Sequence, residues 1–162
     1  MRDDLPWAEF EALNALACYA AEREADPFPE LTDGGMVYDG VGLAHPLLAS
    51  RVAVRNDVRF DEQVRFWLVS GSNMAGKSTL LRAIGVNAVL AYAGAPVTAE
   101  RMRISRFALA ASISVGDSLV AGKSRFLVEV ERLRQAVGLA EEQAPALFLI
   151  DEIFSGTNSE DR

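Results

Sequence analysis

Phe66-Trp-Leu-Val-Ser-Gly71-Ser-Asn-Met-Ala-Gly-Lys77-Ser-Thr79 is the stretch on which the fold turns. Four consecutive apolar residues bounded by a glycine-containing turn predict a buried parallel strand. The continuation matches G-x-x-x-x-G-K-[ST] at Gly71, Gly76, Lys77 and Ser78, at the start of a helical pattern, where a phosphate cradle needs it. Glycine lets the backbone curl until several N–H groups face one anion, and a helix beginning near Lys77 adds its positive end. Gly71, Ser72, Asn73, Met74, Ala75, Gly76, Lys77, Ser78 and Thr79 are therefore the candidate phosphate-binding residues. Lys77 reaches the β- and γ-phosphates and Ser78 ligates Mg²⁺ on this reading. A turn that merely joins strand to helix would not need Gly-Lys-Ser at that register.

Such a loop needs a second carboxylate on the magnesium side, usually at the end of a neighbouring buried strand. Leu147-Phe-Leu-Ile-Asp151-Glu152 supplies the pattern. Asp151 is the candidate metal ligand, and Glu152 the group that orients or deprotonates the attacking water. Alone, four apolar residues and two acids describe many strand ends with solvated carboxylates; downstream of the phosphate loop the pairing gains its meaning.

Outward from these two motifs, the chain reads as alternating strands and helices, an α/β fold. Apolar residues Phe10, Leu13, Leu16, Ala17 and Ala20 recur at helical spacing between Pro6 and Glu24. Asp26-Pro-Phe-Pro and Asp33-Gly-Gly then predict a linker near residues 25–35. Met36 to Leu43 reads as a short strand, and Val52, Val54 and Val58 alternate with polar neighbours as in another. Leu81, Ile84, Ala88 and Ala91 share one face of the helix after the loop, which Gly94 and Pro96 stop. Strand candidates follow at Met102–Ile104 and Phe107–Ile113. A further helix has Leu127, Val130, Leu133 and Val137 on one side and ends by Pro145. Trp67 and Tyr92 lie within apolar elements and read as core aromatics rather than base-stacking groups. Val52 and Val54 are candidates to support an adenine ring, with core packing as the equal alternative.

Half of the 162 residues are apolar, enough for one domain with an appendage. The net charge of −7 is unevenly placed: residues 1–50 carry 2 Lys/Arg against 10 Asp/Glu (−8), leaving 14 against 13 (+1) for residues 51–162. Neither part has the basic surplus that displaces counterions from a DNA backbone, so any DNA contact is expected outside this chain. A single cysteine, Cys18, cannot form an intramolecular disulfide, and neither a secretory leader nor a membrane-spanning run is present, so a cytoplasmic location without membrane contact is expected.

Gly71-Ser-Asn73-Met74-Ala-Gly-Lys-Ser-Thr79 resembles the phosphate loop of the MutS family, G-P-N-M-x-G-K-S-T, in which the Asn-Met pair is distinctive. Further similarity follows in order at Gly116-Asp117-Ser-Leu119, Gly122-Lys-Ser124-Arg-Phe126 with Glu129, Asp151-Glu152-Ile, Gly156-Thr157 and Ser159-x-Asp161, and upstream at His45-Pro46. The resemblance covers most of residues 36–162. It implies the C-terminal ATPase domain of a MutS protein, or of a short MutS-related member: an ABC-type P-loop sheet with flanking helices, binding ATP and Mg²⁺ and working as a head-to-head homodimer. Residues 1–35 then resemble the end of the helical lever that precedes it. Ser124, which read alone is a helix cap, corresponds to the signature-loop serine that contacts the γ-phosphate held by the opposite subunit. Asp117 reads as a solvated acid or a turn cap, and His45 as a structural residue.

Three departures accompany the resemblance. Ser72 stands where the family usually has proline, and Asn158-Ser-Glu-Asp-Arg is closer to the shorter MutS-related proteins than to mismatch-repair members. The chain also stops at Arg162, before the family's further strands and γ-phosphate-sensing histidine, which predicts a sheet incomplete at the C-terminus and a fragment or incomplete gene product. The expected function is Mg-dependent ATP hydrolysis coupled to binding of a mismatch or another DNA structure in repair. The alternatives are a nucleotide-dependent dimerisation module without turnover and an ABC or SMC-type ATPase outside MutS.

Overall fold

The computed structural model describes residues 5–72, 75–113, 130–135, 137–138 and 145–151. Its elements run α1 (Leu5–Ala21), β1 (Glu30–Thr32), β2 (Tyr38–Leu43), β3 (Asn56–Phe60), α2 (Lys77–Tyr92), β4 (Arg101–Ser105), β5 (Ala108–Ser112) and β6 (Ala146–Ile150). Residues 130–135 and 137–138 are helical. The mixed α/β character expected from the sequence is present, but the strands of the described residues divide into two sheets. One has the order β1-β4-β2-β3 and the other pairs β5 with β6.

In the larger sheet β2 is antiparallel to both β3 and β4, while β1 runs parallel to β4. Period-two alternation decides its buried face: Met102 and Ile104 of β4 and Val58 and Phe60 of β3 turn inward. These side chains, with Tyr38, Leu43 and Val97, pack in one core with Ile84, Ala88 and Ala91 of α2. The Tyr38 ring lies edge-on to Phe60 and tilted against Phe107, and its hydroxyl donates to the Ile84 carbonyl at 3.0 Å. That bond ties the sheet to the helix in a region where an unpaired hydroxyl would be costly. Burial pushes the Tyr38 hydroxyl far above the usual tyrosine range.

The smaller sheet is parallel, with Ala108 opposite Ala146 and Ser112 opposite Ile150. Leu147 and Leu149 are buried on one face. Gly85 admits this sheet against α2, because a β-carbon there would stand 3.0 Å from Leu149 and 4.0 Å from Leu109. The buried run expected at Leu147–Ile150 is thus an alternating strand. Phe148 and Ile150 border a cavity of about 210 Å³ together with Leu109, Ser112, Arg132 and Leu133.

Several expectations change in detail. The first helix ends at Ala21 rather than Glu24, and Phe10 and Leu13, placed on its apolar face, are exposed, as is Trp7. Within the stretch expected as a linker, Glu30–Thr32 is a strand, held by its ladder to β4. Strand β3 begins only at Asn56, so Val58 is in the core whereas Val52 and Val54 are exposed and precede the strand. Val130 and Val137, expected on a buried helical face, are also partly exposed, and Leu127 lies outside the described residues.

The largest difference falls at Phe66-Trp-Leu-Val, which forms no strand among the described residues. Trp67 and Val69 are half-buried while Phe66 and Leu68 are 78% and 82% exposed, the period of a chain with one covered side. Trp67 has a neighbour in Phe60, with ring centroids 5.2 Å apart. A continuous apolar run specifies burial on both faces, but no ladder partner is present among the described residues to cover the second.

Candidate functional site

The described residues of the loop ahead of α2 are held by local contacts. Ala75 donates its N–H to the Ser72 carbonyl at 3.2 Å, closing a turn, and Gly76 caps the helix at φ 85° and ψ 11°. That left-handed conformation strains any residue with a β-carbon, which accounts for glycine at this position. Gly76 offers no side chain to the first-turn amides, and no acidic residue lies in that turn. The N–H groups at the start of α2 therefore keep their capacity for an external anion.

Lys77 opens the helix and turns back over the loop. Its ammonium group donates to the carbonyls of Gly71 at 2.7 Å and Ser72 at 3.1 Å. The cation is thereby held beside the turn rather than free in solvent. Ser78 is half-buried one residue later, and Gly71, Ser72, Ala75, Gly76 and Thr79 are exposed. Asn73 and Met74 lie outside the described residues.

Asp151 follows β6 directly, is half-buried, and donates its backbone N–H to the Ser112 carbonyl at 2.9 Å. Its position is fixed by both strands of the smaller sheet, and Leu149, two residues earlier, meets α2 at Gly85. Glu152 and Ser124 lie outside the described residues, as do Asp117 and the Gly156-Thr157 stretch. None of the described residues of the loop, 71–72 and 75–79, lines the cavity between the smaller sheet and residues 132–135.

The two valines considered for adenine are not core residues: Val54 is 78% exposed, which leaves it available to a ligand, and Val52 is exposed beside it. Both follow the His45-Pro46 turn, in which His45 Nδ1 accepts the Leu47 N–H at 3.2 Å, a local structural role. Trp67 packs on Phe60 and Tyr92 on Phe107, and the Tyr92 hydroxyl donates to the Ser105 carbonyl at 2.8 Å, consistent with structural aromatics. Among the described residues, no group of His, Cys, Asp and Glu side chains by itself forms a metal cage. Magnesium, if held here, needs the phosphates as ligands beside Ser78 and Asp151, as is usual for this ion. The residue types fit that requirement, one hydroxyl and one carboxylate being the usual protein share.

One buried polar residue was not singled out by the sequence. Asn87 is fully buried on α2, with its amide donating to the carbonyls of Ala44 and Ala83 at 2.9 and 2.8 Å and its oxygen accepting the Thr98 N–H at 2.7 Å. The only trace in the sequence is a polar residue between Ile84 and Ala91, on what the spacing marks as an apolar face. Leaving the Thr98 amide or the Ala44 carbonyl unpaired would cost about 1–3 kcal/mol each.

The family model for MutS domain V matches residues 67–162, a span that begins at Trp67 and includes both motifs. The chain is 31% identical over 159 residues to the DNA mismatch repair protein MutS of Lactococcus lactis subsp. lactis (strain IL1403), covering 95% of this chain and 19% of that protein. It is 36% identical over 159 residues to DNA mismatch repair protein MutS 1 of Halobacterium salinarum (strain ATCC 29341 / DSM 671 / R1), covering 95% and 18%. Against the DNA mismatch repair protein MutS of Rickettsia akari (strain Hartford), identity is 35% over 150 residues, or 88% and 17%. The chain thus spans under a fifth of the length of these relatives.

Proposed function

The chain belongs to the MutS family, and on that premise we propose that residues 36–162 act as an ABC-type P-loop ATPase domain that binds and hydrolyses Mg-ATP, with residues 1–35 as the end of a preceding lever. The observation that carries this reading is the Lys77 ammonium folded over the Gly71 and Ser72 carbonyls at the uncapped start of a 16-residue helix. A triphosphate entering there would exchange two neutral carbonyl partners of Lys77 for anionic oxygens and would engage the free first-turn amides.

In this account Gly71, Ser72, Asn73, Met74, Ala75 and Gly76 wrap the phosphates, while Lys77 takes the β- and γ-oxygens. Ser78 and Asp151 hold Mg²⁺, which on binding neutralises charge shared by the β- and γ-phosphates. Glu152 positions the attacking water and accepts its proton, Thr79 supports the phosphates, and Val54, with Val52, offers an apolar rest for adenine. Ser124 reaches the γ-phosphate held by a second copy, which makes the working unit a homodimer.

Hydrolysis in the whole protein would be coupled to DNA binding in repair, as the names of the relatives suggest. DNA would be held by regions outside this chain, whose residues 51–162 carry a net charge of only about +1. Among the described residues no helix is long and apolar enough to cross a membrane. We place the protein's work in the cytoplasm, where Mg-ATP is supplied.

Light scattering on the chain with and without Mg-ATP, run beside phosphate release, tests this reading. Mg-ATP is expected to double the scattering mass and to yield phosphate. A doubled mass without phosphate would instead favour a nucleotide-dependent dimerisation module, and no change in either would count against the proposal.

A further inference from the structure

Asn87 is not an isolated buried amide. The Thr98 residue whose N–H it accepts is itself only 7% exposed, and its hydroxyl donates to Asp26 Oδ2 at 3.1 Å while accepting from Arg23 Nη1 at 3.2 Å. Arg23 also pairs with Asp26 at 3.2 Å, donates through Nη2 to the Pro46 carbonyl, and lies 4.9 Å over the Tyr19 ring of α1. Backbone bonds run alongside, from Val97 N–H to the Pro27 carbonyl and from Ala44 N–H to the Thr98 carbonyl, both 2.9 Å. A continuous chain of short polar contacts therefore leads from the middle of α2, through Thr98, to the turn that ends α1.

We propose that Asn87, Thr98, Asp26 and Arg23 form a positioning relay that carries the seating of a triphosphate at the start of α2 to the C-terminal end of α1. The proposal rests on the nucleotide-binding reading above and adds the route by which that site is read elsewhere. α2 is a single helix, and ten residues separate Lys77 from Asn87, about 15 Å of a stiff rod. A shift at its first turn reaches Asn87 as a movement of the whole element, because close-packed elements move as units rather than deform smoothly. Asn87 cannot follow without dragging Ala44 and Thr98, since both are bonded to its one amide. Thr98 in turn holds both members of the Arg23–Asp26 pair through one hydroxyl. Among the described residues, the other side-chain contacts of Arg23 are to the Tyr19 ring of its own helix, to Asp26 in its own turn and to the Pro46 carbonyl.

Hydrogen exchange on the full chain, with and without a non-hydrolysable Mg-ATP analogue, tests the relay. Two sets of amides are followed: Leu80, bonded to the Gly76 carbonyl beside the loop, and Glu22, Arg23 and Asp26 at the end of α1. In the unmodified chain the analogue is expected to slow exchange about threefold or more in both sets. Thr98→Val, which removes the hydroxyl at nearly constant volume, should keep the slowing at Leu80 and lose it at residues 22–26. Thr98→Ser should restore it. Asp26→Ala, which removes the carboxylate from a half-buried turn position outside the apolar core, should repeat the loss if Thr98→Val folds poorly. Unchanged slowing at residues 22–26 in Asp26→Ala, or failure of Thr98→Ser to restore it, overturns the relay. Slowing at Leu80 without any at residues 22–26 in the unmodified chain also overturns it, leaving the nucleotide reading intact. No slowing at Leu80 removes the nucleotide reading and the relay together.

Discussion

Lys77→Ala is expected to weaken Mg-ATP binding by about two orders of magnitude, a change that calorimetric titration of the folded chain would read. The size follows from losing a charge-assisted contact to two phosphates, worth about 2–5 kcal/mol when one partner of such a pair is removed, at 1.4 kcal/mol per tenfold. Stability should barely change, because the ammonium's partners are the exposed carbonyls of Gly71 and Ser72, which water can satisfy. Loss of binding together with loss of fold would assign Lys77 a structural role. Retained affinity would mean that the phosphates do not sit over this lysine.

The second large effect concerns Glu152. If Glu152 is the base proposed above, Glu152→Gln in the protein that carries this domain is expected to lower ATP turnover by about 10²–10⁴-fold, the usual worth of a positioned general base, with the dissociation constant for Mg-ATP staying within about threefold. A change in kcat with binding preserved marks a group that acts in the transition state rather than in ground-state binding. Steady-state phosphate release and nucleotide titration on the same preparation separate the two quantities. Equal turnover in Glu152→Gln and the unmodified protein would take the base role away from this residue.

The elements that position the loop were legible because each rests on a local rule. Leu81, Ile84, Ala88 and Ala91 marked the inner face of α2, and Ile84, Ala88 and Ala91 are buried there. Gly94 and Pro96 ended that helix as expected, with α2 closing at Tyr92. Asp151 was placed at a strand end from four apolar residues alone, and it follows β6. What escaped was set by partners distant in sequence. Phe66-Trp-Leu-Val carries the composition of a two-sided strand, yet pairing depends on a neighbouring strand, and among the described residues the run has none, with Trp67 packing on Phe60. The exposed stripe of α1 has the same origin: helical spacing reports that a face is apolar, not that something covers it.

Asn87 shows the opposite case, a polar residue on an apolar face whose meaning lies in Ala44 and Thr98, far from it along the chain. Hydrogen-bond partners of that kind leave no periodic mark. Val52 and Val54 were ambiguous between core and ligand contact because alternation is the same for both, and their exposure removes the core alternative. The division into two sheets was equally hidden, since strand spacing gives neither ladder order nor the antiparallel pairing of β2 with β3 and β4.

At the centre of the account is convergence of two separate chain segments, the turn before Lys77 and the end of β6, on one metal-bound triphosphate. Titration of Mn²⁺ into the chain in the presence of ATP, followed by the ion's paramagnetic resonance signal, examines that convergence directly. Ser78→Ala and Asp151→Asn should each weaken the protein-bound Mn²⁺ by about tenfold, because each removes one of the few protein oxygens such an ion takes beside phosphate. If Asp151→Asn titrates like the unmodified chain while Ser78→Ala weakens it, β6 does not deliver its acid to the loop and the two-segment site is wrong.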